Sequence, residues 1–309
     1  MARFTSVKFY LPFWLSFCLP LFFLIAGCAP HRRQPTPALP PATYATSLSQ
    51  HTWAWTATYD NIPRVDTLEV FAPVTTQVRA CPLIVFHRGR GFDFTDYHNV
   101  LGQLCGQGIV CVSISDSISF AARTTTLTNP DYDFVYPEKG MESASYAMEE
   151  ALKQVILKGQ VPGDPLYQLV DESRVYFAGH SRGGGATEYV QSRGGTIQGV
   201  GSSGSRSSIN IKGFIYYMPF NLRIFFGYQI IPNLAPTPSI IFAATEDGNL
   251  GYQWPAYLTQ DMTGPTELVT IWGGNHNYMG DFNYPDGTPR ISRSEEQRMI
   301  VEETWKFVK

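Results

Sequence analysis

The residues best suited to chemistry lie in Gly179-His180-Ser181-Arg182-Gly183-Gly184-Gly185, preceded by Val175-Tyr176-Phe177-Ala178 and followed by Ala186-Thr187-Glu188-Tyr189-Val190. The four residues before the glycine read as a buried strand, and the five after it can continue as a helix. Ser181 therefore falls on a strand–turn–helix junction of the G-x-S-x-G kind. Such a turn is too tight for bulky neighbours. Gly179 and Gly183 leave room for strand and helix to approach, and they tolerate strained dihedrals. The Ser181 hydroxyl would stand at the carboxyl edge of a sheet and at a helix N-terminus, where free N–H groups give a positive potential. The chemistry this suggests is nucleophilic. A serine hydroxyl is a poor nucleophile at neutral pH, so it needs a base, and the base needs an orienter.

The elements that must position these groups alternate along the chain. Thr52 to Thr58 and Val65 to Phe71 alternate apolar and polar residues, as half-buried antiparallel edge strands do. Pro82 to Phe86 is a continuous apolar run expected of a central parallel strand, followed by the loop His87-Arg88-Gly89-Arg90-Gly91. A helix is expected over Phe94 to Cys105 with Thr95 as its cap, then a strand over Ile109 to Ile114. A polar loop is expected from Asp116 to Pro137, and a strong amphipathic helix over Glu142 to Leu157. After Ser181 the Gly- and Ser-rich stretch Gly194 to Asn210 reads as a surface loop. Further strands are expected at Gly213–Tyr217, Ser239–Ala244 and Glu267–Trp272. A C-terminal helix should open at the capping box Ser292-Arg293-Ser294-Glu295. Strands alternating with helices predict a mostly parallel sheet covered on both faces.

With the turn and this order of elements, the chain resembles the α/β-hydrolase superfamily over its length after the export segment. Gly179-His180-Ser181-Arg182-Gly183-Gly184 is similar to the turn of chlorophyllases and platelet-activating-factor acetylhydrolases. Gly273-Gly274-Asn275-His276, with Gly280-Asp281-Phe282 and Ile291-Ser292-Arg293 after it, resembles bacterial dienelactone-hydrolase-like members. The resemblance implies an α/β-hydrolase fold with an eight-stranded, mostly parallel sheet, helices on both faces and no large lid domain. It also implies hydrolysis of carboxylic esters without a cofactor. In that superfamily the chain order is serine, acid, histidine. Of the six histidines only His276 follows Ser181, in a loop directly after the last strand, where the base belongs. Five carboxylates lie between them. Glu188 is too early, Asp261 ends a helix and Glu267 begins a strand at the wrong edge. Ala244-Thr245-Glu246-Asp247-Gly248 resembles the superfamily's acid turn and selects Asp247. For the two oxyanion donors, the resemblance points to the backbone N–H of Arg182 and to the loop after Phe86. There Arg88-Gly89-Arg90 stands where His-Gly-x is frequent. Arg90 is the expected donor, with Gly89 and Gly91 as alternatives. The aromatics Phe220, Phe225 and Phe226 either line an open cleft or belong to the core.

Composition bounds the rest. The chain has 309 residues, 44% of them hydrophobic, and a net charge of −3. It has no basic stripe, so nucleic acid is not an expected partner. Arg3 and Lys8 precede an apolar run from Phe9 to Ile25 that contains Pro12 and Pro20 and ends in Leu24-Ile25-Ala26-Gly27-Cys28. That ending is similar to the lipobox of bacterial lipoproteins, in which the signal is cut before a cysteine that is then lipidated. The expected organisation is therefore a signal peptide over 1–27, a proline-rich tether over 28–51 lipidated at Cys28, and one hydrolase domain over 52–309. The location would be the bacterial envelope, with the lipid anchor as the contact with membrane, a small ester as substrate and no obligate protein partner. Cys81, Cys105 and Cys111 would meet an oxidising compartment, which permits one disulfide and one buried thiol without fixing the pairing. No cysteine has metal-ligand spacing to a histidine, so no metal site is expected. The alternatives to an esterase are a lactone, thioester or amide hydrolase using the same residues, or a catalytically silent envelope-binding homologue.

Overall fold

The computed structural model describes residues 40–56, 63–74, 80–115, 137–198, 208–222, 224 and 233–309. The expected signal peptide, Cys28, Phe225 and Phe226, and most of the loop after Ser115, lie outside the described residues. So does much of the connection in which a lid would sit.

The compact unit begins at Leu39. Its nine strands are β1 (Ala45–Thr56), β2 (Pro63–Val74), β3 (Cys81–His87), β4 (Val110–Ser115), β5 (Val170–His180), β6 (Thr196–Gln198), β7 (Ser208–Tyr217), β8 (Ser239–Ala244) and β9 (Thr266–Ile271). Five α-helices are described: α1 (His98–Gly106), α2 (Pro137–Lys158), α3 (Arg182–Ser192), α4 (Gln253–Asp261) and α5 (Arg293–Val308). The sheet order is β1-β2-β4-β3-β5-β7-β8-β9, with β6 added beside β7. The β1·β2, β2·β4 and β6·β7 pairs are antiparallel, and the rest are parallel. The molecule is thus an α/β protein with a mixed, mostly parallel sheet.

Apolar side chains leave the parallel strands on both faces, as the continuous runs require. On one face Leu83, Val85, Phe177 and Phe214 pack with Ala147, Ala151 and Val155 of α2, Val190 of α3 and Leu258 of α4. On the other, Ile84, Phe86, Ala178 and Phe242 pack with Leu101 and Leu104 of α1 and Ile300 and Val301 of α5. Burying a sheet on both sides is what makes its carboxyl-end loops a rigid platform.

Several boundaries differ from the sequence reading. Among the described residues the sheet has nine strands rather than eight. The extra strand, β6, arises inside the expected surface loop, where Ile197 and Ile209 face each other across the hairpin and are both buried. β1 begins at Ala45, inside the stretch expected to be tether. It pairs residue for residue with β2 although Leu48 remains 47% exposed. The helix expected over Phe94–Cys105 is a 3-10 turn (Phe94–Tyr97) followed by α1. Its N-cap is Asp93, not Thr95, and the Asp96 side chain reaches back to accept from the Asp93 N–H at 2.8 Å. Cys81, Cys105 and Cys111 are all free and buried, so no disulfide forms among them. Burial pushes the Cys105 thiol up to about 11 and Cys111 well above its ordinary value, which leaves both as inert apolar fillers. At the C-terminus the expected cap holds: Ser292 Oγ accepts from the Glu295 N–H. Among the described residues no helix is long and apolar enough to cross a membrane.

Candidate active site

Four loops leave the carboxyl ends of neighbouring strands and meet: 87–92 after β3, the Ser181 turn after β5, the Asp247 turn after β8 and the His276 loop after β9. Parallel register brings them level. His87 pairs with Gly179, His180 with Tyr217, and Ala244 with Ile271.

Ser181 sits at φ 53°, ψ −118°, a backbone conformation that residues with a side chain rarely adopt. Strain of this kind costs on the order of 1–3 kcal/mol and persists only where the surroundings over-determine it. Here the Ser181 N–H donates to the Tyr217 carbonyl, and the Ser181 carbonyl accepts from the N–H groups of Gly184 and Phe220. The glycine requirement is steric. A Cβ built at Gly179 would lie 2.0 Å from the Gly183 oxygen, and one at Gly183 would lie 2.1 Å from the His87 oxygen. No alanine fits at either position without moving backbone.

Asp247 and His276 are brought together in a buried pair. His276 Nδ1 donates to Asp247 Oδ2 at 2.8 Å. Asp247 Oδ1 accepts from the N–H groups of Asn249 (2.9 Å), Leu250 (2.8 Å) and Gly251 (3.3 Å). Burial alone would disfavour the charge on Asp247. The His276 imidazole and these N–H groups outweigh it and hold the carboxyl below its usual range. Its neighbour Glu246 turns outward and pairs with Arg290 at 3.0 Å.

His276 is tied to the Ser181 turn by a residue the sequence reading did not use. His180, fully buried, contacts the His276 carbonyl through Nε2 at 3.0 Å and the Tyr97 hydroxyl through Nδ1 at 2.8 Å. A carbonyl only accepts, so Nε2 carries the proton and Nδ1 accepts from Tyr97. The Tyr97 oxygen in turn accepts from the Gly89 N–H at 2.9 Å. This chain of bonds joins the loop after β3, the serine turn and the base loop. Burial and the neighbouring His276 push the His180 pKa well below its ordinary value, which favours the neutral ring that this bonding pattern needs. The two imidazole centroids lie 4.6 Å apart. The signal was available, since His180 occupies the second position of the motif itself.

The network also bears on the three residues expected to offer an N–H beside Ser181. Gly89 commits its N–H to Tyr97, which leaves Arg90 and Gly91 of the three candidates. Arg90 is an exposed turn residue, and Arg182 is the first residue of α3, where helix N–H groups point outward. The Arg88 guanidinium donates to the Phe92 carbonyl and braces this loop from within. Phe92 stacks on Phe282 with centroids 3.8 Å apart, packing the loop against the segment after His276. Phe220 is half-buried, 5.1 Å from the Trp254 ring and bonded through its N–H to Ser181.

Beneath the base loop lies a second carboxyl the sequence reading missed. Glu296, in the first turn of α5, is fully buried. Its Oε2 accepts from the Asn275 N–H at 3.0 Å, and Oε1 has no hydrogen-bond partner. Burial raises its pKa to about 8, the Asn275 N–H opposes this, and the charges of Asp286 and Asp247 add to the rise. A carboxyl that binds its proton more tightly when folded stabilises the protein fully below its ordinary 4.5 and loses that contribution as pH rises through about 8. Glu296→Gln should therefore gain on the wild type between pH 5 and pH 8.5. Urea unfolding midpoints at the two pH values measure this, and parallel shifts would show that Glu296 is ionised throughout.

Among the described residues no group of three or more His, Cys, Asp or Glu side chains could hold a metal ion. No protein-family model matches the chain, and no curated protein does.

Proposed function

We propose that this protein is a serine hydrolase of the α/β-hydrolase type that cleaves carboxylic esters through an acyl-enzyme. One observation carries the reading: a buried Asp247–His276 bond whose histidine carbonyl is tethered by the side chain of His180, the residue directly before a strained Ser181. With Nδ1 donating to Asp247, His276 Nε2 is the nitrogen left to take a proton. In the reaction His276 Nε2 accepts the Ser181 hydroxyl proton as Oγ attacks the ester carbonyl carbon. The resulting oxyanion is met by the N–H of Arg182 and one from the Arg90–Gly91 turn. The intermediate collapses, His276 returns the proton to the departing alcohol, and the acyl group stays on Ser181. Water then repeats the sequence and releases the acid. Asp247 keeps His276 in one tautomer and stabilises its cation. No step requires a cofactor.

The test is labelling of Ser181 by a fluorophosphonate probe together with a screen over p-nitrophenyl esters of increasing chain length. A protein that neither labels nor hydrolyses would be a silent member of the fold. On the sequence alone, we further propose that Cys28 anchors the protein in a bacterial envelope membrane. Cys28→Ala should abolish palmitate incorporation, and labelling that persists in the variant would refute the anchor.

A further inference from the structure

We propose that Asp286 is a positioning residue that sets the geometry of the Asp247–His276 pair; the proposal rests on the reading of that pair as acid and base. Asp286 lies on the segment between the 3-10 turn Asn277–Met279 and α5. Its Oδ1 accepts from the Gly248 N–H at 2.8 Å and its Oδ2 from the Asn277 N–H at 2.8 Å. Gly248 directly follows Asp247, and Asn277 directly follows His276. One rigid, planar carboxylate therefore spans the residues next to both members of the pair, and it touches neither of their side chains.

The need for such a clamp follows from the topology. β8 and β9 are in register only as far as Ala244 and Ile271. Beyond that point the Thr245 N–H donates to the Ile271 carbonyl and the Glu246 N–H to the Gly274 carbonyl, but these bonds stop short of Asp247 and His276 themselves. The segment carrying Asp286 is itself seated on both loops. Gly287 donates its N–H to Asp286 Oδ1 at 2.8 Å, and its carbonyl accepts from Asn275 Nδ2 at 3.2 Å. A Cβ at Gly287 would lie 1.8 Å from the Glu246 oxygen, so the segment lies directly against the acid turn. Further on, Arg290 pairs with Glu246 at 3.0 Å, and its N–H donates to the Gly273 carbonyl at 2.7 Å. Charge-assisted bonds to backbone N–H groups are among the stronger hydrogen bonds, which suits a carboxylate to the task. The titratable groups around Asp286 are Asp247, Glu296 and His276, with the Glu246–Arg290 pair at the rim.

The test uses the full-length protein with p-nitrophenyl butyrate. Asp286→Ala should lower kcat on the order of 10²-fold with KM changed less than about threefold, since a shift of about 1 Å in a reacting group costs that much. Asp286→Asn keeps one acceptor oxygen and should recover about tenfold of the loss. A second readout needs no turnover. The proton between His276 Nδ1 and Asp247 Oδ2 should resonate far downfield in the proton NMR spectrum. It should persist in Ser181→Ala and be shifted or broadened in Asp286→Ala. Wild-type kcat with an unmoved resonance in Asp286→Ala overturns the proposal. So does an equal loss in the alanine and asparagine variants that merely tracks earlier thermal unfolding. If the wild type hydrolyses no ester but Asp286→Ala still perturbs the resonance, the esterase reading fails and the clamp stands.

Discussion

Ser181→Ala and His276→Ala should each lower ester turnover on the order of 10⁴–10⁶-fold. Both should fold, Ser181→Ala unfolding close to the wild type and His276→Ala earlier, because it leaves the buried Asp247 carboxylate without its imidazole. The size follows from the division of labour: each residue is useless to the other alone, so the first deletion removes nearly everything the pair contributes. For the same reason the double variant should be hardly worse than either single one. The fold should survive because no described strand or helix hangs on either side chain. The strained backbone at residue 181 is held by the Tyr217 carbonyl and by the N–H groups of Gly184 and Phe220, all of which bond main chain. Residual hydrolysis by either single variant, above buffer, would measure what the oxyanion donors and substrate binding contribute. Near-normal turnover in either would end the esterase reading.

Asp247→Asn should cost about 10⁴-fold in kcat, and Glu246→Gln should be close to neutral. The loss in Asp247→Asn comes from a change of tautomer at His276. Asp247 Oδ1 faces three backbone N–H groups, so an asparagine must place its only oxygen there. Its amide NH₂ then points at His276 Nδ1, which has to accept instead of donate. The ring proton moves to Nε2, and that nitrogen can no longer take the serine proton. Glu246 makes an ion pair with Arg290, whose side chain is 78% exposed, and pairs of this kind contribute little. Kinetics of the two variants under one buffer decide the matter. A crippled Glu246→Gln beside an active Asp247→Asn would move the acid by one residue. Asp247 is held below its ordinary value of 3.8, so its contribution to stability is present throughout the neutral and mildly acidic range. It is lost only as pH falls below that value.

Much of this was legible in the chain because it depends on local chemistry. The runs at Leu83–Phe86 and Ile240–Ala244 are buried on both faces and hide no polar position, so their strand character shows without any knowledge of neighbours. The Gly179–Gly183 spacing reports a steric demand that a few consecutive residues impose on each other. The order of Ser181, Asp247 and His276 follows from a resemblance, and the Asp247–His276 bond agrees with it. β1 was only half visible. Its first residues carry little apolar alternation, because an edge strand in solvent is held by backbone pairing with β2 and not by burial. β6 was invisible for a related reason: three residues in a Gly- and Ser-rich stretch carry too little pattern, and only the meeting of Ile197 with Ile209 makes them a strand.

What tertiary structure alone decided are the bonds between residues far apart in sequence. His180 and His276 are separated by 96 positions and Tyr97 and His180 by 83, so no spacing rule links them. The same holds for Glu296 under Asn275 and for Asp286 astride Gly248 and Asn277. Polar side chains of this kind carry no periodicity, and each is typical of an exposed turn or helix end until the fold gives it distant partners. Chain composition could name a nucleophile, an acid and a base. The rigidity that holds Asp247 and His276 at bonding distance, with the Ser181 turn tied beside them through His180, comes from loops that meet only when parallel strands bring their carboxyl ends level.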